Sequence, residues 1–205
     1  MRCTGAFEKQ ASTAGFHVVA GVDEVGRGAL FGPVVAAAVV LNPADRICGL
    51  NDSKQLEPAE RERLDGEIRA RALGVAIAAC DAGMIDAVNI LQASRRAMLA
   101  AVTALAPAPD YVLVDAATLD WPGAQKSLIH GDALSISIAA ASIVAKVYRD
   151  ALMARWDAVF PAYQLGRNKG YGTAPHLAGL ARWGPTPLHR RSYAPVGASS
   201  LIVHG

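Results

Sequence analysis

The sequence predicts an α/β fold built around a mixed β-sheet, and three observations predict it. Short apolar runs of strand length alternate with longer segments of helical composition along the 205 residues. The first two runs are separated only by a short glycine-containing turn, which predicts an antiparallel pair. The later runs are separated by helical segments, so the sheet is expected to be mixed rather than purely antiparallel.

Five segments are candidate strands, and the four stronger ones are rich in valine or alanine or both. They are residues 17–24, 33–41, 73–80 and 111–115, with a weaker candidate at 127–130.

Four segments are predicted to be helices. The first, 58–71, begins with Pro58 and is rich in Glu and Arg, which suits an exposed helix. The others are about 89–105, 133–155 and 173–183, and Pro107 and Pro109 end the first of these three. No linker-like tract divides the chain, so residues 1–205 are expected to form one domain, with a helical C-terminal portion at about 160–197 and a loose tail at 198–205.

Several classes of protein are disfavoured by composition. The longest apolar runs, about 29–41 and 133–145, are shorter than the roughly 20 residues that cross a bilayer. The N-terminus lacks the apolar region of a secretory signal, so a cytoplasmic location without a membrane partner is expected. Three cysteines, Cys3, Cys48 and Cys80, form no CxxC pair, which argues against a disulfide framework or a zinc site. Phosphate-binding loops of the nucleotide-dependent phosphotransferases are also absent.

The net charge of +2 conceals an asymmetry along the chain. Residues 1–120 contain 11 basic and 15 acidic side chains, whereas residues 121–205 contain 9 basic and 3 acidic ones. Beyond Asp157 the sequence has no acid, but it has five Lys or Arg residues with His and Tyr among them. Such a segment suits a polyanion such as nucleic acid, although an ordinary basic surface would have the same composition.

The most informative segment is Gly-Val-Asp-Glu-Val-Gly-Arg-Gly at residues 21–28. Asp23 and Glu24 end an apolar strand, and Arg27 follows between Gly26 and Gly28. Adjacent residues of a strand point to opposite faces, so two neighbouring ligands would require local distortion, which the glycines could supply. In the alternative, one of the two acids binds the metal through its carbonyl oxygen. The arrangement indicates a metal and phosphate site; the alternative is a hairpin turn with a surface ion pair.

Two further acids lie where a sheet-based site would place them. Asp115 ends the strand Tyr111–Asp115, and Asp132 precedes the long apolar helix. Four clustered carboxylates would repel one another, and two Mg²⁺ ions would balance their charge and support in-line displacement at phosphorus. This predicts nuclease or phosphotransferase chemistry. The alternatives are a turn or cap role for Asp115 and a simple N-cap role for Asp132.

Four motifs occur in order along the chain. They are Ala-Gly-Val-Asp-Glu-Val-Gly-Arg-Gly from residue 20, Leu-Asn-Asp-Ser-Lys from residue 50, the segment from Gly131 to Asp150, and Lys-Gly-Tyr-Gly-Thr from residue 169 with His-Arg-Arg-Ser-Tyr downstream. With these motifs the chain resembles type 2 ribonuclease H, the bacterial ribonuclease HII family, over about residues 18–196, and four ordered motifs are far more specific than one.

The resemblance implies a ribonuclease H-like mixed five-stranded sheet flanked by helices, and metal-dependent endonuclease activity. The implied substrates are RNA–DNA hybrids and duplex DNA with embedded ribonucleotides, incised on the 5′ side to leave 3′-hydroxyl and 5′-phosphate ends. The implied metal ligands are Asp23, Glu24, Asp115 and Asp132, holding two Mg²⁺ or Mn²⁺ ions in the substrate complex. A monomer is expected.

The resemblance also implies the substrate contacts. Gly26, Arg27 and Gly28 would read the ribose 2′-hydroxyl through the backbone, and Tyr171 would stack at the RNA-to-DNA junction. This use is physically reasonable, because the 2′-hydroxyl distinguishes RNA from DNA. The expected contacts with the phosphate backbone, three of them on one face of the long helix, are Lys54, Ser142, Lys146 and Arg149.

The chain departs from the family pattern at three positions, two of which lie in the loop between residues 115 and 131. Ala116 and Ala29 replace a common glycine and proline, and His130 replaces a common lysine. Two other functions stay open at this point. A resolvase-type nuclease of the same fold would need the acids but not the 2′-hydroxyl reader, and a duplex-binding protein would need neither metal nor turnover.

Overall fold

A computed structural model describes residues 3–200, and the side chains of residues 3–198. The chain folds into two compact units. The first consists of Met1–Val25, Val35–Ala78 and Arg95–Val147, and the second consists of Gly26–Val34, Ala79–Ser94 and Tyr148–Gly205. Both units are assembled from segments that are distant in the sequence.

A five-stranded sheet forms the centre of the fold. Its strands are β1 (Val19–Val25), β2 (Val34–Val40), β3 (Gly74–Cys80), β4 (Tyr111–Asp115) and β5 (Ala124–Leu128). The spatial order is β3-β2-β1-β4-β5; β1 pairs antiparallel with β2 and parallel with β4, and β4 pairs parallel with β5. The predicted mixed sheet is confirmed, and its weak fifth strand lies slightly earlier than the predicted 127–130.

Within residues 3–200 the structure contains eight α-helices. They are α1 (Ala6–Thr13), α2 (Pro58–Arg71), α3 (Ala82–Val88), α4 (Ile90–Thr103), α5 (Ile136–Val159), α6 (Leu165–Asn168), α7 (Ala174–Trp183) and α8 (Ala194–Ser200). The four long predicted helices correspond to α2, α4, α5 and α7, and the helical C-terminal portion is confirmed. Helices α1, α3, α6 and α8 are not predicted. Each has eight residues or fewer, and so short a segment shows too little hydrophobic periodicity to be recognised as a helix.

The predicted tail at 198–205 begins within a helix, since α8 extends to Ser200. The remainder of that tail, residues 201–205, lies outside the described residues. Across residues 3–200, none of the helices combines the length and apolar character that spanning a membrane would require.

In the first unit, α5 packs directly against β1. The contact occurs at Gly21, where an added Cβ would lie 2.1 Å from the carbonyl carbon of Ser137 and 2.3 Å from the Ile138 nitrogen. Only glycine allows this approach. Because strand residues alternate, Asp23 points to the same side as Gly21, toward the next turn of α5. Strand β2, which is entirely buried, and the alanine-rich part of α5 contribute to the same core.

The second unit has its own core of aromatic and aliphatic side chains. Phe31, Met153, Tyr163, Leu165 and Leu180 are buried in one cluster. Two arginines are also fully buried in this unit, and they hold the loop that contains the Gly-Arg-Gly motif.

Candidate active site

The carboxyl ends of the parallel strands β1 and β4 bring two of the predicted acids together. Val22 pairs with Val114 in the β1–β4 register, so the next residues, Asp23 and Asp115, lie at adjacent strand ends. Side chains at paired positions leave the sheet on the same side. The two carboxylates are therefore neighbours, although 92 positions separate them in the sequence.

Strand β1 stays regular through both of its acids. Its antiparallel pairing with β2 continues through Glu24 opposite Ala36 and Val25 opposite Val35. The local distortion expected between Asp23 and Glu24 is therefore absent from this strand. The two side chains leave opposite faces, and an Asp23 carboxylate oxygen accepts a hydrogen bond of 2.7 Å from the Glu24 amide.

Asp23 is only 5% exposed, and its environment opposes ionisation. Burial raises the pKa of the Asp23 carboxyl well above its usual range, and the charges of Glu24 and Asp115 raise it further. A hydrogen bond from the Ser142 hydroxyl partly offsets these effects. The ionised form thus needs a positive charge beside it.

Asp115 and Asp132 are held together by the turn that follows β5. The Gly131 amide donates to Asp115 over 2.7 Å, and Asp132 lies in the 3₁₀ turn Gly131–Ala133. The alternative interpretation of Asp132 as the cap of α5 is wrong, since the Ser135 hydroxyl accepts from the Ile138 amide over 3.2 Å. Burial raises the pKa of Asp115, and the hydrogen bond from Gly131 opposes this shift.

The loop between residues 115 and 131 contains two strained positions. Ala116 has φ of 44° and His130 has φ of 58°. Both values lie in the left-handed region, which favours glycine. These are two of the three departures from the family pattern, and the structure accommodates both residues at a cost in backbone strain.

The donor set suits a hard divalent cation, but the shell is incomplete. Within residues 3–198, no three His, Cys, Asp or Glu side chains are grouped closely enough to hold a metal ion by themselves. Mg²⁺ is commonly bound through one or two carboxylates together with waters and substrate oxygens. Asp23 and Asp115 are neighbouring carboxylates that repel each other, and such a pair fits that mode of binding.

A lysine lies beside the carboxylates. Lys54 is exposed, and its Nζ atom is 3.5 Å from an Asp132 carboxylate oxygen. The charges of Asp132, Asp52 and Asp23 raise the pKa of Lys54 against the opposing effect of burial. An exposed ammonium at this position could bind a phosphate oxygen.

Ser142 differs from its predicted role as a substrate contact. Its side chain is buried and shares a hydrogen bond of 2.9 Å with the Ser53 hydroxyl, in addition to its bond to Asp23. Ser142 therefore orients a carboxylate instead of facing the substrate. Ser53 was missed as a functional residue, although it lies in the Asn-Asp-Ser-Lys motif and its buried hydroxyl supports Ser142. Lys146 is half-buried on α5.

In the second unit, Arg149 also differs from its predicted role. It is fully buried, and its guanidinium donates to the carbonyl oxygens of Pro33, Phe31 and Lys169 at 3.1, 3.1 and 2.8 Å. Burial lowers the pKa of Arg149 to about 10. Because the side chain is 0% exposed and three of its five N–H groups hold backbone carbonyls, Arg149 is a structural clamp on two loops.

Gly26 packs against this clamp. Its φ is 90°, and an added Cβ would lie 2.1 Å from the Arg149 Nε atom. A second buried arginine, Arg190, donates to the carbonyl oxygens of Arg27 and Gly32 over 2.8 and 2.9 Å. These buried arginines were missed as structural residues, because only their burial separates them from surface arginines.

Tyr171 is 36% exposed and lies beside the Gly-Arg-Gly loop. A Cβ added to Gly28 would be 3.9 Å from the tyrosine ring, and the Arg149 guanidinium carbon is 5.7 Å from the ring centroid. The structure thus brings Gly28 and Tyr171 together in the second unit, with one face of the ring supported and part of it accessible.

Comparisons with known proteins agree with this arrangement. The family model of ribonuclease HII matches residues 20–196. A ribonuclease HII from Solibacter usitatus is 55% identical over 199 residues, covering 97% of this chain and 87% of the relative. The crystal structure of ribonuclease H2 from Pyrococcus horikoshii has a TM-score of 0.75 at 25% identity, covering 91% of this chain and 98% of that chain.

A structure of Bst-RNase HIII in complex with Mn²⁺ is similar in fold, with a TM-score of 0.71 at 21% identity, covering 95% of this chain and 72% of that chain. The family match spans both units and includes all four acids and the Gly-Arg-Gly motif. This chain therefore belongs to the ribonuclease HII family and is a hydrolase that acts as a ribonuclease H.

Proposed function

We propose that the chain is an endonuclease that cuts the RNA strand of RNA–DNA hybrids and incises duplex DNA 5′ of embedded ribonucleotides. Cleavage leaves 3′-hydroxyl and 5′-phosphate ends. The observation that carries the proposal is the pairing of Asp23 and Asp115 at neighbouring strand ends, with Asp132 held next to Asp115. Such carboxylates serve phosphoryl chemistry when cations balance their charge.

The metal is proposed to be Mg²⁺ or Mn²⁺, held by Asp23, Glu24, Asp115 and Asp132 with two ions in the substrate complex. Because the Glu24 side chain leaves the face of β1 opposite Asp23, Glu24 would contribute its carbonyl oxygen. When bound, these ions supply activation of water and stabilisation of the leaving oxygen. The residues of the chain orient the groups involved. Ser142 fixes the Asp23 carboxylate, and the Gly131 amide fixes Asp115.

Recognition of the substrate is proposed to divide between charge and shape. Lys54 and Lys146 contact phosphates, and the basic residues beyond Asp157 add attraction to the duplex. The backbone of Gly26, Arg27 and Gly28 reads the 2′-hydroxyl, and the accessible ring of Tyr171 stacks at the junction. The exposure of Tyr171 and its proximity to Gly28 support this division.

The decisive experiment uses a labelled DNA duplex with a single embedded ribonucleotide. Cleavage is expected with Mg²⁺ or Mn²⁺, and none is expected in EDTA. The length of the labelled product identifies the side of incision, and direct extension by a polymerase shows that the product carries a 3′-hydroxyl.

A duplex of the same sequence without the ribonucleotide is the control. Equal cutting of this all-DNA duplex would favour a resolvase-type nuclease. Stable binding without incision in either metal would favour a duplex-binding protein. A cytoplasmic monomer is also proposed, and light scattering of the purified chain with and without duplex tests the monomer.

A further inference from the structure

Two histidines of the second unit are buried in contact with each other. His176 lies on α7 and is 0% exposed, and His189 follows that helix in the chain and is 1% exposed. Their Nε2 atoms are 3.0 Å apart. A hydrogen bond at this distance requires one Nε2 atom to carry a proton and the other to accept it.

The neighbours of the pair determine which histidine donates. The Thr186 amide donates to Nδ1 of His189 over 3.0 Å, so this nitrogen carries no proton. Neutral His189 is therefore protonated at Nε2 and donates to His176. His176 in turn carries its proton at Nδ1, which lies 2.9 Å from the carbonyl oxygen of Tyr171.

The result is a chain of hydrogen bonds with one direction, from Thr186 through both imidazoles to the backbone of Tyr171. Burial lowers the pKa of His176, and it lowers that of His189 to about 3, which keeps the pair neutral. Ring contacts with Tyr163 hold both imidazoles in place, at centroid distances of 5.9 and 4.8 Å.

The chain of hydrogen bonds ends at the backbone carbonyl of Tyr171. Tyr171 is flanked by Gly170, whose φ is 81°, and Gly172. Its carbonyl oxygen also accepts a hydrogen bond of 2.8 Å from the Thr173 amide, so the bond from His176 is one of two that fix this carbonyl.

His189 also contacts the segment that follows the Gly-Arg-Gly motif, through a backbone bridge with Phe31 and a ring contact at a centroid distance of 4.9 Å. The histidine pair thus lies between Phe31 and the backbone of Tyr171.

We infer that His176 and His189 are positioning residues, a neutral relay with fixed tautomers that sets Tyr171 for recognition of the RNA-to-DNA junction. The inference rests on the proposed function. Neither histidine touches the substrate in this role; each acts through the position of the tyrosine backbone.

The first test reads the tautomers directly. A two-bond proton–nitrogen correlation spectrum of the full chain at neutral pH should show His176 protonated at Nδ1 and His189 protonated at Nε2. Protonation of both residues at Nε2, or a charged imidazole at either position, would overturn the inference without any assay of activity.

The second test measures specificity. The quantity is the ratio of kcat/KM for a duplex with one ribonucleotide to kcat/KM for a hybrid with an uninterrupted RNA strand. His176→Phe keeps an aromatic ring but removes the hydrogen bonds to His189 and to the Tyr171 carbonyl. It should lower this ratio about fivefold to tenfold, which is the value of the one buried hydrogen bond to Tyr171. Tyr171→Ala gives the largest change that loss of the tyrosine can produce.

Two matched variants separate positioning from general loss of stability. His176→Asn retains a donor near the Nδ1 position and should restore most of the ratio. Leu180→Ala removes a buried side chain one turn further along α7 and should lower stability with the ratio unchanged. If His176→Phe folds and keeps the ratio of the unmodified chain, the inference is wrong and the proposed function still stands. If the unmodified chain cuts neither substrate, the proposed function is wrong and the positioning role falls with it.

Discussion

At the residue scale, the Asp23 carboxylate is the group of the site whose ionisation its surroundings oppose most clearly. It is buried against Ser142 and lies close to Glu24 and Asp115, so its ionised form is unfavourable without a cation. This cost is physically related to function, because a carboxylate that is poorly solvated by the protein gains most from a bound metal.

Asp23→Asn is expected to abolish cleavage of the ribonucleotide-containing duplex while leaving duplex affinity within about twofold, since metal charge is lost but phosphate contacts remain. Single-turnover cleavage and fluorescence anisotropy measure the two effects. Near-normal turnover by this variant would remove Asp23 from the set of metal ligands.

The pKa of Asp23 also predicts how stability depends on pH. Its folded-state pKa lies above the unfolded value of about 3.9, so the metal-free native state binds more protons than the unfolded state in the window between them. The contribution of Asp23 to the free energy of unfolding therefore falls as pH rises through that window.

The buried histidines act in the opposite direction below about pH 6.5, because their folded-state pKa values are lowered. The quantity to measure is therefore the difference in the free energy of unfolding between the unmodified chain and Asp23→Asn, obtained by urea unfolding in EDTA. Asp23→Asn should be relatively more stable as pH rises, and Mg²⁺ should reduce its advantage. A difference independent of pH and metal would contradict the assignment.

Ala116 provides a second residue-scale prediction. Because its φ of 44° is unfavourable for a residue with a Cβ, Ala116→Gly should raise the free energy of unfolding by about 1 kcal/mol. Ala100→Gly, on an exposed position of helix α4, is the control and should lower it by about 0.5–1 kcal/mol. Thermal unfolding of both variants in one buffer measures these changes. A lower free energy of unfolding for Ala116→Gly would show that the backbone at Ala116 is not strained.

At the scale of elements, the contact between β1 and α5 determines where the site is built. Gly21 and Asp23 point to the same side of β1, and Ile138 and Ser142 lie one turn apart on α5. The glycine allows the helix to approach, and the serine one turn later reaches the carboxylate. Packing and catalytic geometry therefore share one interface in the first unit.

Gly21→Ala tests this coupling. An added Cβ would lie 2.1 Å from the helix backbone, which cannot rotate away, so a loss of about 3 kcal/mol or more is expected, with cleavage reduced as α5 moves. Gly66→Ala on α2 meets no atom within 4 Å and should instead stabilise the chain by about 0.5–1 kcal/mol. Equal stability of the two variants, measured by urea unfolding, would show that the close approach is unimportant.

At the scale of the whole molecule, charge is distributed unevenly along the chain. The acidic excess lies in residues 1–120, where three of the four candidate ligands occur, and the basic excess lies in residues 121–205. Cations are attracted by the first and phosphates by the second. Binding of nucleic acid through such basic residues releases counterions and is sensitive to salt.

Affinity for an all-DNA duplex in EDTA is therefore expected to fall about tenfold or more between about 50 and 200 mM salt. Replacing Arg167 and Lys169 with Gln should make the salt dependence less steep. Arg63→Gln is the control, because this exposed arginine pairs with Glu60 and Glu67 on α2 and should leave the salt dependence unchanged. A duplex affinity that is insensitive to salt would contradict an electrostatic mode of binding.

Local sequence determined much of the fold and the chemical nature of the site. The bounds of α2 follow from Pro58 and its charged composition, β4 follows from its apolar run, and the motif from Ala20 to Gly28 identifies the acids and the glycine loop. Each of these signals is contained in a short segment, so periodicity, turn chemistry and motif spacing are sufficient to read it.

Only the tertiary structure decided which groups meet. Strand order places β4 next to β1 and so brings Asp23 beside Asp115. Ser135 caps α5, so Asp132 is available to the site. Burial makes Arg149 a clamp and brings His176 into contact with His189. The physical reason is that sequence periodicity specifies the face on which a side chain lies. The partner that it meets there depends on strand order, register and close packing between distant segments.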